Sequence, residues 1–192
     1  MYKIVAVLVL FFAIINCNAQ LLNTKERFSR ADTLRGSLRP ERTAFDVLKY
    51  NLWVDVDIKS KSITGHNTIS FNTLDNMPTM QLDLFENMKI DSIVYHKKHL
   101  KYKREYNAVF IDFGKPVKKN TIDSLVVYYS GQPQVAKNAP WDGGFIFTKD
   151  RDGNDWVSVA VQGTGASLWY PNKDTQSDKP EEAEIHVTAP AG

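Results

Sequence analysis

The stretch "LKYNLWVDVDI", residues 48–58, decides the fold class. Leu48, Tyr50, Leu52, Val54, Val56 and Ile58 fall at every second position, with Lys49, Asn51, Asp55 and Asp57 between them. Strict alternation of this length predicts a strand buried on one face, because a helix would bring its apolar residues back every three or four positions. "KSKS" (59–62) then turns the chain into "ITGHNTISF" (63–71), which is again rich in β-branched and aromatic residues.

The same texture repeats along the chain. Strand candidates follow at "MQLDLF" (80–85), "IDSIVYH" (90–96), "AVFIDF" (108–113) and "DSLVVYYSG" (123–131). The turns between them carry Asn76-Met77-Pro78, Gly114-Lys115-Pro116 and Lys118-Lys119-Asn120, residues that suit loop dihedrals. Beyond Gly131 the composition shifts to Pro, Asn, Gly and Trp, and strand-like "GFIFTK" (144–149), "WVSVAVQ" (156–162) and "AEIHVTAP" (183–190) come after it. No stretch before Gly131 holds a 3.6-residue apolar period long enough for a helix. The expectation is an all-β domain, an antiparallel sandwich or saddle-like bent sheet of many short strands.

Outside this domain lie two further segments. Lys3 precedes an apolar run from Ile4 to Ile15, and small residues follow at Asn18-Ala19. This is the layout of a secretory signal peptide over residues 1–19, too short to cross a bilayer, which needs about 20 apolar residues. The mature protein is therefore expected to be exported, to the periplasm, cell envelope or extracellular space, and to keep no membrane span. Cys17, the chain's one cysteine, would leave with the signal, so neither a disulfide nor a thiolate site is expected. A net charge of +2 argues against nucleic acid as a partner. Residues 20–44 are polar and basic, with Arg27, Arg30, Arg35, Arg39 and Arg42 scattered through them. They read as an extended leader that lies on a neighbouring surface or stays mobile.

In "KDRDGNDW" (149–156), aligning Gly153 with a calcium-loop glycine puts Thr148 and Val159 where two essential carboxylates belong, so a hairpin turn is the better reading. His66, His96, His99 and His186 form no H-E-x-x-H pattern, and lysines surround His96 and His99, so this chain is expected to bind no metal by itself. The lysine-rich "HKKHLKYKR" (96–104) reads as a solvated hairpin tip or an anion patch. "GTGAS" (163–167) is neither a nucleophile elbow nor a phosphate loop: Ser167 lacks flanking glycines and Leu168 stands at the third glycine position. No complete catalytic centre is present.

One loop remains, "VQGTGASLWYPNKD" (161–174). Gly163 and Gly165 allow a sharp turn or a close approach. Gln162 offers an acceptor and donors in one planar group, suited to an amine or amide, and Trp169-Tyr170-Pro171 supplies a rigid aromatic wall. The alternative is a β-bulge with an ordinary core tryptophan.

Together with "DKPEEAEIHVTAP" (178–190), this loop resembles the end of the N-terminal β-domain in the aminopeptidase N family of zinc metallopeptidases. The upstream order is similar too: "YNLWVDVD" (50–57) as the opening strand, Gln81-Leu82-Asp83-Leu84, "YYSGQP" (128–133) and "APWDGGF" (139–145), the last as in exported bacterial members. The resemblance spans Phe45 to Gly192. It implies a parent enzyme that removes N-terminal amino acids from peptides with a bound zinc. This chain would then supply a cleft wall, Gln162 would contact the substrate's free amine, and Trp169 and Asp174 would be structural. The family's G-x-M-E-N and H-E-x-x-H elements would lie past residue 192 in a catalytic domain that is the natural partner of this one. A rival expectation is a stand-alone secreted β-sandwich that binds protein or carbohydrate on a platform of Trp141, Trp156, Trp169 and Tyr170.

Overall fold

The computed structural model describes residues 27–139 and 141–190. The expected signal peptide, with Cys17, lies outside the described residues. Among the described residues no helix is long and apolar enough to cross a membrane.

β1 (Phe45–Asp57) and β2 (Ser62–Thr73) form the opening hairpin, joined across the expected turn. β3 (Met77–Asp83), β4 (Met88–Tyr95), β5 (Lys98–His99), β6 (Lys101–Glu105), β7 (Ala108–Val117) and β8 (Ile122–Gly131) follow, then β9 (Gly144–Lys149), β10 (Asp155–Ala160) and β11 (Glu182–Thr188). They assemble into a six-stranded sheet ordered β11-β1-β2-β8-β4-β5, a three-stranded sheet ordered β3-β7-β6, and the β9–β10 hairpin. The fold is all-β, as the alternation predicts, but two of the expected turns are strand. Met77-Pro78 opens β3 and Gly114-Lys115-Pro116 lies within β7, so of the three only Lys118-Lys119-Asn120 connects strands as read.

Two details of β1 differ from simple alternation. The register slips between Val47 and Lys49, which makes Leu48 the extra residue of a bulge and not a member of the apolar face. The slip lets Phe45 and Val47 share a core side with Tyr50, Leu52, Val54 and Val56, which an unbroken period of two forbids. The sheet is also not purely antiparallel, since β11 runs parallel to β1 from Lys49↔Glu182 to Asp55↔Thr188. The long connection 161–181 carries the chain over to this edge, as a parallel seat requires.

The two larger sheets face each other. Leu52, Ile69, Phe71, Leu125, Val127 and Tyr129 from one meet Met80, Leu82, Val109 and Ile111 from the other in one buried cluster. Each such side chain stabilises the fold by about 1.5–3 kcal/mol relative to exposure.

The expected extended leader is instead a strap of two short helices, α1 (Arg30–Gly36) and α2 (Pro40–Thr43). Ser29 and Asp32 form a reciprocal capping box at the start of α1, and Pro40 opens α2 with its φ already helical. Helices of one or two turns are too short to display an apolar period, which is why none was visible. The strap covers the outer face of the three-stranded sheet. Leu34 is buried there with its carbonyl on Gln81 Nε2 at 2.9 Å, Arg30 pairs with Glu105 at 2.8 Å, and the Arg39 guanidinium lies 5.8 Å from the centre of the Phe110 ring.

The lysine-rich stretch forms a tight turn at His96–Lys97 and then β5 and most of β6. Its lysines are exposed, whereas Arg104 turns inward to the carbonyls of Leu84, Phe85 and Met88. "DRDGND" is the β9–β10 turn, closed by Asp150, whose carboxylate accepts from the backbone of Asp152 and Asn154 and from the Asn154 amide.

Candidate functional site

The loop 161–174 begins where β10 ends, at Ala160, so Gln162 stands beyond the strand and not at its last position. Thr164 and Gly165 both donate their backbone N–H to the Val161 carbonyl, at 3.2 and 2.9 Å, and Gln162 is exposed on the turn they close. Gly163 has φ +75° with open space around the position of a Cβ. Gly165 is more constrained: φ is 84° and ψ 160°, a region open essentially to glycine alone. A Cβ there would also sit 2.0 Å from an Asp174 carboxylate oxygen.

A single 3-10 turn follows, Ala166–Leu168. Leu168 is fully buried, and Ser167 donates its hydroxyl to Asp174 at 2.6 Å. Ser167 is therefore a brace of the loop and not a nucleophile. Trp169 meets Phe145 and Tyr170 edge to face at 6.0 and 4.8 Å, and Tyr170 meets Tyr50 at 6.0 Å. Both pack against the core. Trp169 and Tyr170 are thus partly buried, whereas Trp141 and Trp156 are exposed.

What fixes the far end of the loop is a set of buried charges. Asp83 and Asn172 exchange backbone hydrogen bonds at 2.7 and 3.1 Å. The Asp83 carboxylate also accepts from the Asp174 backbone N–H at 3.1 Å, from Gln81 Nε2 at 3.2 Å, and from Arg42 Nη2. Arg42, on the strap, is 1 % exposed and Asp83 3 %. Burial pushes the Asp83 carboxyl above its ordinary range, and the hydrogen bond and charge of Arg42 oppose that shift. Next to it Lys173 donates to the Phe45 carbonyl and pairs with Asp178, while its backbone N–H donates to the Tyr50 hydroxyl at 2.9 Å. Burial pulls the Lys173 ammonium down, and Asp178 opposes this. Burial also pushes the Tyr50 hydroxyl up, which keeps it protonated.

An open cavity of about 740 Å³ lies between the strap and this loop, with Asp32, Arg35, Val161, Gly163, Gly165 and Asp174 on its walls. The histidines are elsewhere. His186 stacks on Trp53 at 3.8 Å and His66 lies 6.1 Å from the same ring on the open face of the large sheet, while His96 contacts Asp123 at 2.8 Å. Among the described residues no three side chains of metal-binding type converge.

Sequence reasoning missed Arg35, Arg42 and Asp83. The one signal was the polar Gln81 and Asp83 alternating with Leu82 and Leu84, a pattern that ordinarily marks a face in water. Here the strap covers that face.

No protein-family model and no curated protein matches the sequence. Solved structures do match in fold. An M1 zinc metallopeptidase from Deinococcus radiodurans superposes with a TM-score of 0.59 at 17% identity, over 77% of this chain and 33% of its own. Native yeast LTA4 hydrolase superposes with a TM-score of 0.62 at 15% identity, over 78% of this chain and 24% of its own. A mutant of the Deinococcus enzyme is bound to a Tyr-Ser-Ala substrate, and the yeast enzyme has been solved with bestatin. This chain spans about a third of the one and a quarter of the other.

Proposed function

We propose that this chain is the β-domain of an exported zinc aminopeptidase and forms one wall of its substrate cleft. The observation that carries the reading is the exposed Gln162, on a turn whose neighbours Val161 and Gly163 line an open cavity, in a fold shared with M1 zinc metallopeptidases. In this reading Gln162 accepts a hydrogen bond from the free amine of a peptide through Oε1. A neutral amide orients an ammonium but adds no net charge attraction, so selectivity for a free N-terminus leans on an acid elsewhere. Zinc, which would polarise the scissile carbonyl and activate water in the parent enzyme, has its ligands outside this chain.

The uncovered edge of the large sheet supports a missing neighbour. Ile185 and Val187 pair with Leu52 and Val54 on the core side of the sheet, yet they are 56 % and 62 % exposed, beside an apolar groove that Trp156 lines. Exposed apolar surface of this kind marks a place where another protein surface packs, and a neighbouring domain of the same enzyme fits it.

Reading the gene past codon 192 tests the proposal. Continuation in frame into G-x-M-E-N and H-E-x-x-H is expected; a stop codon there sinks it. In the resulting enzyme Gln162→Ala should lower kcat/KM by roughly 1–3 kcal/mol, the scale of a lost charge-assisted hydrogen bond. Unchanged kinetics across several N-terminal residues would remove Gln162 from the role. Export is checked by sequencing the N-terminus of the secreted product, which should begin at Gln20.

A further inference from the structure

The turn 161–165 is closed mostly from within: the Thr164 and Gly165 N–H groups and the Thr164 hydroxyl all go to the Val161 carbonyl. Among the described residues, the one hydrogen bond that reaches this turn from elsewhere in the chain comes from Arg35, on α1. Its Nη2 donates to the Thr164 carbonyl and lies 3.9 Å from the Asp174 carboxylate. These two acceptors bracket Gly165, where no side chain fits. The backbone beneath Arg35 is itself anchored, because Arg42 donates from Nη1 to the Arg35 carbonyl at 2.7 Å and to the Asp174 carbonyl at 3.4 Å. The strap therefore grips both ends of the loop, from below through Arg42 and from outside through Arg35.

The two arginines differ in what they support. Arg42 is buried and belongs to the core of the domain. Arg35 is 47 % exposed, and an exposed ion pair contributes little to global stability. A turn with two positive-φ glycines and only internal bonds, however, opens at low free-energy cost, so a single external tie shifts its population strongly.

We propose that Arg35 is a positioning residue that holds the turn presenting Gln162, so that the segment ahead of the β-domain sets the pose of the substrate-facing loop. That the turn meets a peptide amine rests on the function proposed above; that Arg35 holds the turn does not.

Amide hydrogen exchange in the full 192-residue chain separates the two. Arg35→Ala should raise exchange of the Thr164 and Gly165 amides roughly tenfold while Tm and the exchange of Leu52 and Val127 stay unchanged. Arg35→Lys, which keeps a donor, should restore most of the protection. Unaltered exchange at Thr164 and Gly165 overturns the proposal. So does an increase spread over the β-core, which would make Arg35 a general support of the fold. In the longer enzyme Arg35→Ala should raise KM roughly threefold with kcat unchanged. If Gln162→Ala leaves KM unmoved while exchange in Arg35→Ala still rises, the amine contact fails and the positioning role stands. If Gln162→Ala raises KM but Arg35→Ala alters neither exchange nor KM, the positioning role fails alone.

Discussion

Removing the Asp83 carboxylate tests how the buried charges support the candidate loop. Asp83→Ala leaves Arg42 almost wholly buried with only the Arg35 and Asp174 carbonyls as acceptors, and it leaves the Asp174 N–H without its partner. Breaking a buried ion pair by deleting one partner costs about 3–5 kcal/mol, and an orphaned buried donor about 1–3 kcal/mol. The two penalties share one site and do not simply add, so about 4 kcal/mol is expected. Since domains are stable by about 5–15 kcal/mol, this is a large fraction of the total. Urea unfolding followed by tryptophan fluorescence should show the midpoint fall at constant m, and Tm should drop by roughly 8–16 °C. The double variant Arg42→Met with Asp83→Leu should recover the share due to the unpaired Arg42 charge, because an apolar pair carries no charge to desolvate. It should not recover the share due to the Asp174 N–H, which still lacks its acceptor. A cost below about 1 kcal/mol for Asp83→Ala would refute the reasoning and mean that water reaches Arg42.

Two further outcomes are expected. Gly165→Ala combines a backbone region closed to alanine with a Cβ at 2.0 Å from Asp174, and should cost about 3 kcal/mol. Gly163→Ala, with positive φ but open space, should cost about 1 kcal/mol; equal costs in chemical denaturation would show that the approach of Asp174 is unimportant. At the β9–β10 turn, hydrogen bonds from the Asn154 side chain and backbone hold the Asp150 carboxyl below its ordinary 3.8. A lowered carboxyl supports the fold above the unfolded pKa, and that support disappears as pH falls through the lower folded value. The Asp152 and Asn154 amide shifts should therefore titrate with a midpoint below 3.8, moving back toward it in Asn154→Ala. A midpoint at or above that value in the native chain would contradict the bonding of the turn.

The all-β class and most strand positions were legible because alternation is a local property, whereas Pro and Gly misled at Met77-Pro78 and Gly114-Lys115-Pro116, which are strand residues. A residue's face in a strand depends on its parity, and "LKYNLWVDVDI" states that parity outright. The β9–β10 hairpin was read closely for the same reason, with acids and a glycine that suit a tight turn. The loop 161–174 stood out by its glycines and aromatics, and Trp169 and Asp174 do brace it. Where β1 slips, at Leu48, parity alone misassigned a residue, since a bulge is set by the partner strand.

By itself, then, the sequence determined the period-two strands and the turns at 59–62, 118–120 and 150–155, and it singled out the loop 161–174 by composition. The tertiary structure alone decided that a polar, arginine-bearing leader becomes a helical strap, that β11 lies parallel to β1, and that Gln81, Asp83, Arg42 and Lys173 are interior. The reason is one of distance. Arg42 and Asp83 are 41 residues apart, and Lys173 reaches the Phe45 carbonyl across 128. A charge can be buried only when its partner arrives at the same point in space, and no local pattern records that arrival.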